Sequence, residues 1–187
     1  MNGYKIVNQN HIHFITPTIV GWLDVFSRKI YRDIILESLS YCRKEKGMSI
    51  HAYVIMTNHL HLVVSAKEGF KLSDIIRDFK GYTAKRIIEE ILHNPKESRS
   101  DWMIRLLKYF ANENNRNKKY QLWQQNNHPV ELVSKMWTGR RIEYVHDNPV
   151  RAGLVRRQED YLHSSASNYL DLHSALEIDV LDMNLLS

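Results

Sequence analysis

The sequence predicts an α+β fold: an antiparallel sheet with helices packed on one face, plus a helical insertion and a C-terminal extension. Three observations predict it. Strand-like and helix-like periodicities follow one another in the order β-α-β-β-α-β-α, with a polar insertion before the last strand. Two of the strand-like runs are joined by only two residues, which makes them antiparallel neighbours. The 187 residues, 43% of them hydrophobic, suffice for one core without covalent staples. This order of elements is that of a split βαβ plan, which leaves one sheet face for function.

The first strand is read at residues 10–17 (NHIHFITP), where alternation and β-branched or aromatic residues end at a proline. A helix follows from Trp22 to Lys46, with Val25, Ile30, Ile34, Ile35 and Leu39 near a 3.6-residue period and Gly47 as the stop. Ser49–Met56 and His59–Ser65 form a hairpin about Thr57-Asn58. The second helix spans Leu72–Leu92, with Ser73 as its expected N-cap. Residues 94–119 read as an insertion with a short amphipathic helix carrying Trp102, Leu106, Leu107 and Phe110, expected to protrude. Short strands at Tyr120–Gln125 and Pro129–Val133 precede a third helix, Lys135–Asp147, expected to end where Asn148 meets Pro149. Residues 1–170 are thus one domain and 171–187 an acidic tail.

Composition excludes several classes. The single Cys42 supplies neither a disulfide scaffold nor a zinc knuckle and is expected to be a buried thiol. No apolar run approaches a membrane span, and no signal segment precedes the first strand, so a cytoplasmic location with no membrane partner is expected. The net charge of +5 hides a division. All 26 bases lie in residues 1–157 with 15 of the 21 acids, a surplus of 11, whereas residues 158–187 hold six acids and no Lys or Arg. A basic body of this kind points to a polyanionic partner, nucleic acid first. The acidic tail is expected to be a solvated end, the alternative being a segment that lies over the basic groove and competes with nucleic acid.

Two constellations could carry chemistry. His59 and His61 stand at i and i+2 of a strand, so both imidazoles project from one face and two nitrogens could share a metal ion. Spacing alone does not single them out, because His11 and His13 repeat the pattern on the first strand and a four-histidine zinc site is conceivable. Tyr144 and Asn148, at i and i+4, share a helix face. Six of the ten tyrosines have an amide, carboxylate or imidazole four residues on, so this pairing is also unspecific. What sets Tyr144 apart is its arginines: Arg140 and Arg141 before it and Arg151, Arg156 and Arg157 after it, whose forks suit phosphate oxygens and make them the candidate DNA-binding residues. Trp123 and Trp137 are candidate base-stacking aromatics, with core packing the default role of each.

MTNHLHLVV at 56–64 together with YVHDNPVRAGLV at 144–155 strongly resembles the single-tyrosine HUH transposases, specifically the REP-associated tyrosine transposases. The stretches FKGYTAKRI, WQQNNHPVEL and SSASNY extend the resemblance over most of residues 10–170. It implies a ferredoxin-like sheet, in agreement with the element order. It also implies that His59 and His61 bind a divalent metal, Mg²⁺ or Mn²⁺, with Asn148 as third ligand, and that Tyr144 is the nucleophile. The implied activity is metal-dependent cleavage and rejoining of single-stranded or hairpin DNA through a 5′-phosphotyrosine, with His11 and His13 demoted to sheet residues. A homodimer is open, since some relatives assemble their sites across one. The rival readings are a non-catalytic nucleic-acid binder on the same sheet and a zinc protein using all four histidines.

Overall fold

The computed structural model describes residues 5–113 and 119–182. Its elements are β1 (His13–Ile15), α1 (Lys29–Glu45), β2 (Met48–Ile55), β3 (Leu60–Ala66), α2 (Leu72–His93), α3 (Ser100–Asn112), β4 (Val130–Glu131) and α4 (Lys135–Arg151). The four strands form one antiparallel sheet in the order β2-β3-β1-β4, as the split βαβ plan requires. The expected strand at Tyr120–Gln125 is an extended segment that makes only an isolated bridge, Trp123 to Ile19. Among the described residues, no helix is long and apolar enough to cross a membrane.

Alternation divides the sheet residues between two cores. Leu60, Leu62 and Val64 of β3 face α1 and α2 in the larger cluster, while Val63 joins Phe14, Ala52, Val54, Ile142 and Val145 in a smaller one beneath α4. The remaining sheet face is therefore where α4 lies, and His59 and His61 share that face with Val63. In β2 the parity changes at a bulge. Ile50 pairs with Val64 and Ala52 with Val63, which leaves His51 as the extra residue. Cys42 is buried in the larger core as expected, and burial pushes its thiol up to about 11.

Several expectations are corrected. The first helix begins at Lys29; residues 20–27 instead form two short 3₁₀ turns, Val20–Trp22 and Val25–Ser27. Ser73 is not the N-cap of α2, because the helix has already begun at Leu72 and the Ser73 amide donates to Gln9 Oε1 at 2.9 Å. The 94–119 segment does not protrude up to Asn112. Met103, Ile104, Leu107 and Ala111 of α3 are buried, the first three in the main core, while Trp102 and Leu106 face outward. Its polar run falls partly outside the described residues. Trp123 is a core residue whose indole donates to Thr83 Oγ1 at 3.1 Å, whereas Trp137 is half-exposed at the start of α4.

The acidic tail is only in part a solvated end: Asp171, Glu177 and Asp182 are exposed, but three other residues anchor the segment. Leu176 and Ile178 enter the main core. Asp179 holds Arg43 through two contacts of 3.1 Å and accepts from the Ile50 amide at 3.0 Å, while its own amide donates to the Ile50 carbonyl at 2.7 Å. Asp179 thereby ties the segment to α1 and to the edge of β2.

Candidate active site

The hairpin turn that carries His59 is fixed from outside. The Ile19 amide donates to the Asn58 carbonyl and the Phe26 amide to the Thr57 carbonyl, at 2.9 and 2.8 Å. Beyond the turn His59 bridges Thr18, and β3 continues with His61. The two imidazoles converge, with their Nε2 atoms 3.2 Å apart. Each ring is oriented through its other nitrogen: Asn58 Oδ1 lies 2.7 Å from His59 Nδ1, and Thr16 Oγ1 lies 3.0 Å from His61 Nδ1. An Nδ1–H donated to the Asn58 oxygen leaves the His59 Nε2 lone pair free, and the Thr16 hydroxyl can accept from His61 in the same way.

Both rings are biased toward the neutral form. Burial lowers the pKa of His59. His61 is lowered to about 3, first by burial, then by the neighbouring His59 and by Arg141, against a hydrogen bond to the Asn148 side chain, whose oxygen accepts from the ring and favours its protonated form. Protons therefore do not compete for the His61 nitrogen at neutral pH.

The opposite wall is α4. Ser134 caps its start, its Oγ accepting from the Trp137 amide at 3.4 Å, and Ile142 and Val145 bury its inner stripe. Tyr144 and Asn148 then fall on the flank beside the histidines. The Tyr144 ring centroid is 5.2 Å from that of His61 and 6.0 Å from that of Phe14, which itself stacks on His61 at 5.2 Å. Asn148 Nδ2 donates to the Tyr144 carbonyl at 2.6 Å, which leaves its Oδ1 for the side of His61.

The helix does not stop before Pro149, as the sequence suggested. Proline removes one N–H and α4 tolerates this within its last turn, running on to Arg151. It ends in a Schellman turn, with Leu154 N to Pro149 O and Gly153 N to Val150 O both at 2.9 Å and Gly153 at φ +71°. The extra turn brings Arg151 back over Tyr144, 5.7 Å from the ring centroid.

Of the five arginines, Arg141 lies 4.8 Å from the Phe14 centroid and 5.8 Å from that of Tyr144, so it and Arg151 flank the phenol. Arg140 lies over Trp137 at 5.8 Å. Arg156 is exposed beyond the Schellman turn, and Arg157 pairs with Asp160 at 2.8 Å. His146 points away, its Nε2 2.9 Å from Ser165 Oγ in a buried pair, and burial lowers it to about 4.

The second histidine pair is elsewhere. His11 Nδ1 is 2.6 Å from Glu131 Oε1, and His13 Nδ1 is 2.8 Å from the His11 carbonyl. A four-histidine zinc site is overturned by this, since His13 pairs with β4 and projects from the other face of the sheet. Among the described residues no group of three or more His, Cys, Asp or Glu side chains is arranged to hold a metal ion. The donor set is two imidazole nitrogens and one amide, which fits a divalent ion that keeps positions open for water or phosphate oxygens, unlike a closed thiolate site.

Residues 6–113 match the family described as Transposase IS200 like. The chain belongs to the IS200-like transposase family. The match takes in β1 through α3, with Thr16, Asn58, His59 and His61, and ends before α4. A solved REP-associated tyrosine transposase bound to a REP hairpin has the same fold, with a TM-score of 0.61 and 16% identity over 97% of this chain and 94% of that one. A candidate transposase of Deinococcus radiodurans R1 aligns at 16% identity over 79% of this chain and 96% of that one, with a TM-score of 0.43. No curated protein sequence matches significantly. Three residues of this transposase's site had not been singled out from the sequence: Phe14, Thr16 and Asn58. For Asn58 a signal existed, as the polar residue of a tight turn directly before a candidate ligand.

Proposed function

We propose that this IS200-like transposase is a metal-dependent endonuclease and strand transferase on single-stranded DNA, with Tyr144 as its nucleophile. The observation that carries the reading is the meeting of Tyr144, on α4, with His61, on β3, at 5.2 Å between ring centroids, with Asn148 reaching the same imidazole. His59, His61 and Asn148 would hold a Mg²⁺ or Mn²⁺ ion. Such an ion, when bound, supplies positive charge that polarises a scissile phosphate.

The residues then have separate tasks. The Tyr144 phenol gives up its proton and its oxygen attacks phosphorus; a P–O bond to the tyrosine forms, the bond to the 3′ oxygen breaks, and that oxygen takes up one proton to leave as a 3′-hydroxyl, so the proton count is unchanged. The 5′ end stays on Tyr144, so the reverse attack by a 3′-hydroxyl rejoins a strand. Arg141 and Arg151, 5.8 and 5.7 Å from the ring centroid, offset charge on the phosphate oxygens. Arg140, Arg156 and Arg157 extend the positive surface along the strand, with Arg157 shared with Asp160. The similar structure carries a REP hairpin, so hairpin DNA with an unpaired flank is the substrate expected here. The described residues, tail contact included, act as one domain.

Incubation with hairpin-flanked single-stranded DNA and Mn²⁺ should give an SDS-stable covalent adduct that Tyr144→Phe abolishes. An adduct that persists in Tyr144→Phe rejects this nucleophile. Absence of any adduct with the unaltered protein favours the non-catalytic binder.

A further inference from the structure

Beside the histidine pair stands a residue to which the chemistry above assigns no task. Trp22 is 60% exposed, and its indole meets the His59 ring edge-on, at 6.2 Å between centroids and 74° between planes. Its backbone is at φ +55°, in the left-handed region that a bulky residue rarely adopts, directly after Gly21 at φ +60°.

The surroundings fix this geometry. A Cβ on Gly21 would lie 2.7 Å from the Phe110 ring of α3, so α3 closes one side of the turn. On the other side Asn58 Nδ2 donates to the Trp22 carbonyl at 3.3 Å, and the same Asn58 orients His59. A rigid frame thus holds an apolar indole out in solvent at the rim of the candidate metal site, in a conformation that costs free energy. Over-determined strain of this kind clusters where a ligand is held.

We infer that Trp22 is the stacking platform for one unpaired base of the DNA strand, next to the phosphate that Tyr144 attacks. The inference rests on the proposed cleavage reading. An indole face standing perpendicular to the His59 ring lets a base stack beside the metal ligands while its phosphate reaches them, and stacking tolerates any base. Trp22 would therefore fix the position of the scissile phosphate along the strand without reading sequence.

The test uses full-length protein with Tyr144→Phe to separate binding from cleavage, and hairpin-flanked single-stranded DNA with 2-aminopurine at successive unpaired positions. One position should be quenched strongly on binding. Trp22→Ala should remove that quench and weaken binding roughly five- to a hundredfold, Trp22→Phe should restore most of it, and Trp102→Ala on the outer face of α3 should change nothing. An abasic nucleotide at the quenched position should weaken binding to the Trp22 protein and cost nothing further in Trp22→Ala. Unchanged binding in Trp22→Ala, or additive losses with the abasic strand, overturns the inference while leaving an observed Tyr144 adduct intact. Loss of both binding and adduct on every strand overturns the reading beneath it.

Discussion

Glu97 offers the sharpest stability experiment. Its side chain is buried in the α2–α3 turn and accepts from Arg99 Nε at 2.9 Å, Arg99 Nη2 at 3.0 Å, the Arg99 amide at 3.1 Å and the Tyr31 hydroxyl at 2.7 Å, with Arg28 Nε at 3.2 Å. The Arg99 guanidinium, with a smaller contribution from the Tyr31 hydroxyl and against the effect of burial, holds the carboxyl at about 2 rather than 4.5. A depressed carboxyl contributes stability above its unfolded pKa and loses it as pH falls toward the folded value. The shift corresponds to about 3 kcal/mol, and solvent at the partly exposed Arg28 and Arg99 ends reduces this to about 2 kcal/mol. Glu97→Gln keeps the volume and removes the charge. Urea unfolding at pH 7 should show a deficit of about 2 kcal/mol that falls below half by pH 3, where the wild-type carboxyl is losing its own advantage. A deficit equally large at pH 3 would mean that packing or hydrogen bonding, not the charge, does the stabilising.

Two further outcomes are expected. Thr16→Val, which removes the partner of His61 Nδ1, should weaken Mn²⁺ binding about tenfold by calorimetry, with Thr16→Ser close to wild type; equal affinity in all three would mean the hydroxyl does not orient the ring. Asp179→Ala should cost about 1 to 3 kcal/mol and speed hydrogen exchange at the Ile50 amide, and unchanged exchange there would remove Asp179 from the sheet edge.

Local periodicity carried most of the fold and the polar constellation. The i, i+2 spacing of His59 and His61 and the i, i+4 spacing of Tyr144 and Asn148 each fix a shared face, and those faces do meet. Which of the two histidine pairs mattered was not in the spacing; in the structure Glu131, 120 residues from His11, engages the other pair. The groups that orient the site were less visible, because Thr16 meets His61 across 45 residues of chain and no local pattern encodes that approach. The α3 helix was read from Trp102, Leu106, Leu107 and Phe110; Leu107 is buried and Phe110 packs against the core, whereas Trp102 and Leu106 face outward and Met103, Ile104 and Ala111 complete the buried stripe. The tail was misjudged for a related reason, since its four acids look solvated until Arg43, 136 residues from Asp179, is brought beside that one.

The contact of the C-terminal segment with β2 bears on how this protein is made. The outward amides of β2 are occupied from later in the chain: Ile50 by Asp179, Tyr53 by Ser165 Oγ and Ile55 by the His163 carbonyl. A ribosome completes β1 to α4 before any of these partners is translated, so during synthesis the hairpin carries an open row of donors and acceptors of the kind that pairs with neighbouring chains. A nascent or prematurely terminated product ending near residue 160 would present that edge unshielded, and the last stretch to emerge is the one that closes it.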